Sequence, residues 1–235
     1  EMNYDDCVRL AAKEADETER GVIVQDTAWD GYEEIPAWIM QGYGTMAMEA
    51  GEQLKEYGCE RPTHIFVQAG VGSLAGAVVG YYSNLYADNP PTFVVVEAEA
   101  AACLYKGAAA GDGDIRIVDG DMETIMAGLA CGEPNTISWD ILKNHVKVFI
   151  AAPDWVAANG MRMLGAPIKG DAPVTSGESG AAPFGALAAV MTMDEYKDLR
   201  NDIGLDASSK VLLFSTEGDT DPDRYKNIVW KGLDK

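Results

Sequence analysis

The stretch His64-Ile-Phe-Val-Gln-Ala-Gly-Val-Gly-Ser-Leu-Ala-Gly76 decides how the chain folds. Its first five residues form an apolar run with β-branched and aromatic members, the composition of a buried strand. A glycine-rich turn follows over 69–76, and an apolar helical segment runs over 74–86. Phe93-Val-Val-Val-Glu97 then supplies another strand. Strand, helix and strand in succession make a βαβ unit, and its crossover requires a parallel sheet.

The alternation continues outward. Toward the N-terminus, residues 5–20 read as a charged surface helix, and 21–25 (Gly-Val-Ile-Val-Gln) as a short buried strand ending in a polar loop. Ile35, Trp38, Ile39, Tyr43, Met46, Ala47, Ala50 and Leu54 recur at helical spacing, with Pro36 in the first turn of that helix. Toward the C-terminus, the patterns predict a helix over 98–107, a strand over 115–118, and helices over 122–129 and 138–144. Next come a strand over 146–151, a helix capped by Asp154 and reaching 164, and a Gly-, Pro- and Ser-rich loop over 165–180. A helix over 182–191 and a strand over 210–214 end the pattern. The expected fold class is α/β, an open twisted, mainly parallel sheet with flanking helices.

Composition bounds the function. The 235 residues carry 18 Lys+Arg against 38 Asp+Glu, a net charge of −20. Such a surface repels polyanions, so nucleic acid and anionic membranes are excluded as partners. The longest apolar runs, at 93–96 and 212–214, fall far short of the roughly 18 residues that span a bilayer. The start, Glu-Met-Asn-Tyr-Asp-Asp, shows no secretory pattern, and the chain reads as cytoplasmic. The 4 cysteines show no C-x-x-C spacing and only 2 histidines occur, so neither a metal site nor a histidine-based triad is expected. Cys103 and Cys131 flank one segment and are expected to be free thiols. Any chemistry is expected to rest on a cofactor.

The glycine loop is where such a cofactor would sit. Glycines let successive N–H groups turn toward one point, and the following helix N-terminus adds partial positive charge. In so acidic a protein, a phosphate must be held by backbone donors of this kind. The spacing Gly70-x-Gly72-x-x-Ala75, with Glu97 downstream, also satisfies the loose dinucleotide fingerprint. A tight strand-to-helix packing turn is the remaining alternative. Asp26, beside Thr27 and Trp29, is a carboxylate of the right kind for a general base, or else closes an Asx turn, as does Asp30.

Several strings are long and unusual: Gln25-Asp-Thr-Ala-Trp-Asp-Gly-Tyr32, Ile35-Pro-Ala-Trp-Ile-Met-Gln-Gly-Tyr-Gly-Thr45, Met126-Ala-Gly-Leu-Ala-Cys-Gly-Glu-Pro134, Ser176-Gly-Glu-Ser-Gly-Ala-Ala182 and Phe214-Ser-Thr-Glu-Gly-Asp-Thr-Asp221. Together they resemble the diaminopropionate ammonia-lyase family nearly end to end. The resemblance implies a pyridoxal 5′-phosphate enzyme of fold type II, the tryptophan-synthase-β type, converting 2,3-diaminopropionate to pyruvate and ammonia, commonly as a homodimer. It implies that Gly70, Val71, Gly72, Ser73, Leu74 and Gly76 cradle the cofactor's phosphate. It also implies that Ser215 faces the ring nitrogen, that Thr216 next to it binds the cofactor, that Glu178 lies beside the ring, and that Asp26 is an acid/base residue. The spacing after Glu178 is one residue shorter than the common Glu-Pro-Ser-Gly-Ala form. Residues 1–33 would be the end of the smaller domain and 34–235 the large cofactor-binding domain.

The family uses a lysine in a Ser-x-Lys context early in its chain for the covalent link to the cofactor. None of the 11 lysines here stands in that context. The resemblance therefore implies a C-terminal portion, roughly three fifths of an enzyme, inactive alone. Two alternatives stand beside it: a non-catalytic phosphate- or pyridoxal-phosphate-binding fragment, and a serine/threonine dehydratase-like lyase.

Overall fold

A computed structural model describes residues 2–234. The helices are α1 (Tyr4–Glu17), α2 (Glu34–Glu56), α3 (Ser73–Leu85), α4 (Cys103–Ala110), α5 (Thr136–His145), α6 (Asp154–Gly165), α7 (Glu178–Thr192), α8 (Lys197–Asp202) and α9 (Pro222–Val229). The strands are β1 (His64–Gln68), β2 (Thr92–Ala98), β3 (Val146–Ala152) and β4 (Val211–Leu213). They form one sheet in the order β3-β2-β1-β4, and every pair is parallel. The α/β class and the parallel sheet expected from the βαβ unit are therefore present. Among the described residues, no helix is long and apolar enough to cross a membrane.

The apolar runs divide between the two faces of the sheet because side chains alternate along a strand. Ile65, Val67, Phe93 and Val95 pack on one face with α3 and α5 residues such as Val78, Tyr82, Trp139 and Leu142. Phe66, Val94 and Val96 face the other side, against Val156, Ala157 and Met161 of α6 and Ala182 and Ala186 of α7. A strand buried on both faces reads as a continuous apolar run, which is how β1 and β2 read. Helices α6 and α7 approach so closely that a Cβ on Gly160 would lie 2.4 Å from the Ala181 carbonyl oxygen, and one on Gly185 would lie 2.0 Å from that of Val156.

Five expectations are corrected. Residues 21–25 are extended but pair with no strand, and Val22 and Val24 are 71% and 69% exposed. Residues 115–118 are likewise extended and unpaired, with Ile117 exposed. In both places an apolar run lacks a neighbour to supply its ladder. The helix expected over 122–129 shrinks to a 3₁₀ turn at Ala127–Leu129. Asp154 occupies the first position of α6 with Pro153 at the cap, and its carboxylate instead accepts from Thr124 Oγ1 and the Ile125 amide. On α2 the buried face is Pro36, Met40, Ala47 and Gly51, while Trp38 points outward.

Candidate functional site

In the order β3-β2-β1-β4, the chain leaves β1 toward β2 on one side and returns to β4 on the other. Crevices open beyond the carboxyl ends of strands at such a reversal. Here a cavity of about 410 Å³ opens between the loop after β1 and the segment after β4. Gln68 spans the two: its buried Nε2 donates to the Phe214 carbonyl oxygen and to Thr216 Oγ1, both at 3.0 Å.

The glycine loop forms the floor. Gly72 sits at φ 101° as the N-cap of α3, a conformation that favours glycine. The first α3 bond runs from the Gly76 amide to the Gly72 carbonyl oxygen (2.7 Å), so the amides of Ser73, Leu74 and Ala75 have no intrahelical acceptor. The amides of Gly70 and Gly72 also donate to no acceptor among the described residues, and the Val71 amide acts on the Cys131 thiol, offsetting part of the rise that burial gives it. Carbonyls of this turn are engaged away from the cavity, Val71 O accepting from the Asn135 amide (2.8 Å). The loop thus offers a set of converging donors to an anion. Gly76 lies behind it, where a Cβ would fall 2.7 Å from Ser138 Oγ, so glycine lets α3 and α5 meet.

The walls are polar and carry carboxylates. Asp26, half-buried, lines the cavity with Tyr4 and Tyr43. Its backbone carbonyl accepts from Ser73 Oγ (2.7 Å) and Asn135 Nδ2 (2.6 Å), and its Oδ2 accepts from Tyr43 Oη (3.1 Å). Burial, and then the Asp26 charge, push the Tyr43 phenol up to about 12, so it is a neutral donor. Ser179, Thr216 and Glu217 line the cavity as well. Glu217 Oε2 accepts from the Ser179 amide (2.6 Å) and the Gly180 amide (3.2 Å), closing the N-terminus of α7. Among the described residues, no lysine or arginine lines the cavity.

The residues singled out from sequence divide between wall and surroundings. Asp26, Gly70, Val71, Gly72, Ser73, Leu74 and Thr216 line the cavity. Ser215 adjoins it, exposed, with Oγ donating to Ser176 Oγ at 2.8 Å. Glu178 is turned toward α9, where Arg224 Nε stands 3.4 Å from its Oε1, and burial raises its pKa. Glu97 does not face the cavity: it is buried, and its two oxygens accept from the Leu104 and Tyr105 amides at 2.8 and 2.7 Å. The downstream acid of the dinucleotide fingerprint is therefore occupied in capping α4. Cys103 and Cys131 are buried free thiols beside the loop, Cys103 donating weakly to the Gly70 and Cys131 carbonyls.

Residues unread from sequence complete the site. Gln68, Tyr43, Ser179 and Glu217 form its walls, and fully buried Asn135 ties Asp26, Ser73 and α5 together. Two buried wall atoms, Gln68 Oε1 and Ser179 Oγ, have no hydrogen-bond partner among the described residues. Unpaired buried polar atoms are costly, and a polar ligand in the cavity would satisfy them. Free amides on the floor for an anion and orphaned acceptor and hydroxyl atoms above them suit a flat polar ring bearing a phosphate.

Comparison with known proteins agrees with that chemistry. The family model described as pyridoxal-phosphate dependent enzyme matches residues 1–211. Diaminopropionate ammonia-lyase of Salmonella typhimurium is 55% identical over 233 residues, and that of Escherichia coli K12 is 49% identical over 232. Each match takes in 99% of this chain and 57% of the relative, so the chain spans under three fifths of their length. The crystal structure of the Escherichia coli enzyme in complex with an aminoacrylate-PLP azomethine reaction intermediate superposes with a TM-score of 0.91 at 47% identity, covering 100% of this chain and 58% of that one. A Thermus threonine deaminase, 21% identical with a TM-score of 0.62 over 78% of this chain and 57% of its own, shares the fold.

Proposed function

The chain belongs to the pyridoxal-phosphate dependent enzymes, and from that premise we propose that the protein carrying it converts 2,3-diaminopropionate and water to pyruvate and two ammonia molecules. The observation that carries this reading is the cavity at the ends of β1 and β4, with free loop amides on its floor, in a chain 55% identical to an ammonia-lyase of that name. When bound, pyridoxal 5′-phosphate supplies an electron sink for the charge that develops at the substrate's Cα.

This chain's residues bind and orient around that chemistry. The amides of Gly70, Gly72, Ser73, Leu74 and Ala75 hold the phosphate at the start of α3, and Val71 and Gly76 shape the loop. Thr216 in the wall, with Ser215 next to it, offers a hydroxyl to the ring nitrogen. Glu178 enters the proposal as the first residue of α7, beside Ser179. Asp26 takes or returns a proton at the substrate from the cavity wall. Asp26 and Glu217, with no lysine or arginine in the lining among the described residues, favour a substrate bearing amines. Residues 1–33 are read as the end of a smaller domain and 34–235 as the large one, in a cytoplasmic homodimer.

The test is release of pyruvate and ammonia from 2,3-diaminopropionate by the full-length protein with added pyridoxal phosphate. One pyruvate per two ammonia is expected. Faster turnover of serine or threonine, or no pyruvate at all, would overturn the assignment.

A further inference from the structure

We infer that Tyr43 is a positioning residue for Asp26: its phenol, carried on the long helix α2, ties the carboxylate to the cavity wall so that it meets the ligand from a fixed position. The inference rests on the proposed acid/base role of Asp26 for its catalytic consequence, while the tether itself is a matter of geometry.

Asp26 follows residues 21–25, which pair with no strand and leave Val22 and Val24 exposed; the Tyr32 hydroxyl holds the backbone of Ile23 and Gln25 there, but it makes no hydrogen bond to the Asp26 carboxylate. A carboxylate in such a loop would sample several rotamers, and an acid/base group works only when held in line with the proton it moves. Two neighbours fix the backbone, Ser73 Oγ and Asn135 Nδ2 on the carbonyl oxygen, but neither touches the carboxylate. Among the described residues, the one hydrogen bond to the side chain comes from Tyr43 Oη, 3.1 Å from Oδ2. Tyr43 lies in the middle of a 23-residue helix packed along α3, a support more rigid than the loop. The other titratable groups near Asp26 are the Tyr4 phenol from α1 and the Cys131 thiol from the segment after the 3₁₀ turn. Burial first raises both; the Asp26 charge adds to the rise of the Tyr4 phenol, and Asp5 and then Asp26 add to that of the thiol, so each stays neutral beside the carboxylate. Among the described residues no cation competes with Tyr43 for Asp26 at the wall, so the carboxylate is oriented by a directional hydroxyl.

The experiment pairs two variants of the full-length holoenzyme with a readout independent of turnover. Tyr43→Phe keeps the ring and removes the hydroxyl. It is expected to lower kcat about tenfold or more, leaving KM and the affinity of the cofactor-free protein for inorganic phosphate within about twofold. A kcat within about twofold of the parent would overturn the positioning role, and so would equal losses in kcat and phosphate affinity, which mark a general loosening of the site. Asp26→Asn removes the charge facing Tyr43, and the phenol, followed by tyrosine-ring carbon NMR, should then titrate clearly below its parent value of about 12. An unmoved Tyr43 titration would overturn the tether even if Tyr43→Phe failed to fold. A moved titration with undiminished turnover in Asp26→Asn would support the tether and sink the acid/base reading of Asp26.

Discussion

Asn135→Ala tests whether one buried side chain holds the candidate site together. Asn135 is fully buried and its side chain makes three close contacts. Oδ1 accepts from the Ser138 amide (2.9 Å) as the N-cap of α5, and Nδ2 donates to the Asp26 carbonyl oxygen (2.6 Å) and to Ser73 Oγ (2.9 Å). Loss of the cap costs about 1 kcal/mol. The Asp26 carbonyl retains its bond from Ser73 Oγ, so removing the two donor contacts costs about 0.5–1.5 kcal/mol each. The sum is about 2–4 kcal/mol, or roughly 5–15 °C in melting temperature for a chain of this size. The bond from the Asn135 amide to Val71 O belongs to the backbone and survives. Asn135→Ser keeps a capping oxygen at the start of α5 and loses the amide donors, so it should recover about 1 kcal/mol of the deficit. Urea unfolding of parent and both variants measures the series. A loss under about 0.5 kcal/mol for Asn135→Ala, or a Ser variant no better than Ala, would refute the reasoning.

Three further outcomes are expected. Gly72→Ala puts a side chain on a residue at φ 101°, which costs about 1–2 kcal/mol and should weaken inorganic phosphate binding, measured by calorimetry; unchanged stability and affinity would refute it. Under brief alkylation at pH 8, Cys7 and Cys59 should react and Cys103 and Cys131 resist, as mass spectrometry would show, because burial holds both inner thiols protonated, Cys131 up to about 12. Burial pushes Glu97 up to about 8 from 4.5, against the Leu104 and Tyr105 amides, so the folded state binds an extra proton between those values. The contribution of Glu97 to stability should then be full below about pH 4.5 and be lost as pH rises through 8, a component of the slope in urea midpoint that Glu97→Gln should remove.

How much of this was legible depended on the range of the interaction. The strands at 64–68 and 92–98 are apolar on both faces and bounded by turn residues, a local signal that needs no partner to be read. Residues 21–25 and 115–118 carry a similar signal without a ladder, because a strand exists only where a neighbour supplies hydrogen bonds, and pairing is not written in either segment alone. Asn135 was within reach: it stands three residues before Ser138 at a helix start, the spacing of an N-cap, though nothing local announces its bond to Asp26, 109 residues away. Tyr43 was read as part of an apolar face and is half-buried, but its hydroxyl finds Asp26 only after α2 docks. The far wall is the least local of all. Gln68 reaches Phe214 and Thr216 across 146 and 148 residues, and Glu217 caps α7 from 38 residues away. Those contacts arise because β4 returns to the free side of β1, and that strand order brings Thr216, singled out from the sequence, and Glu217, which was not, to the same cavity as the glycine loop. A glycine turn can therefore be located from its own residues, whereas the groups facing it are chosen by the topology of the sheet.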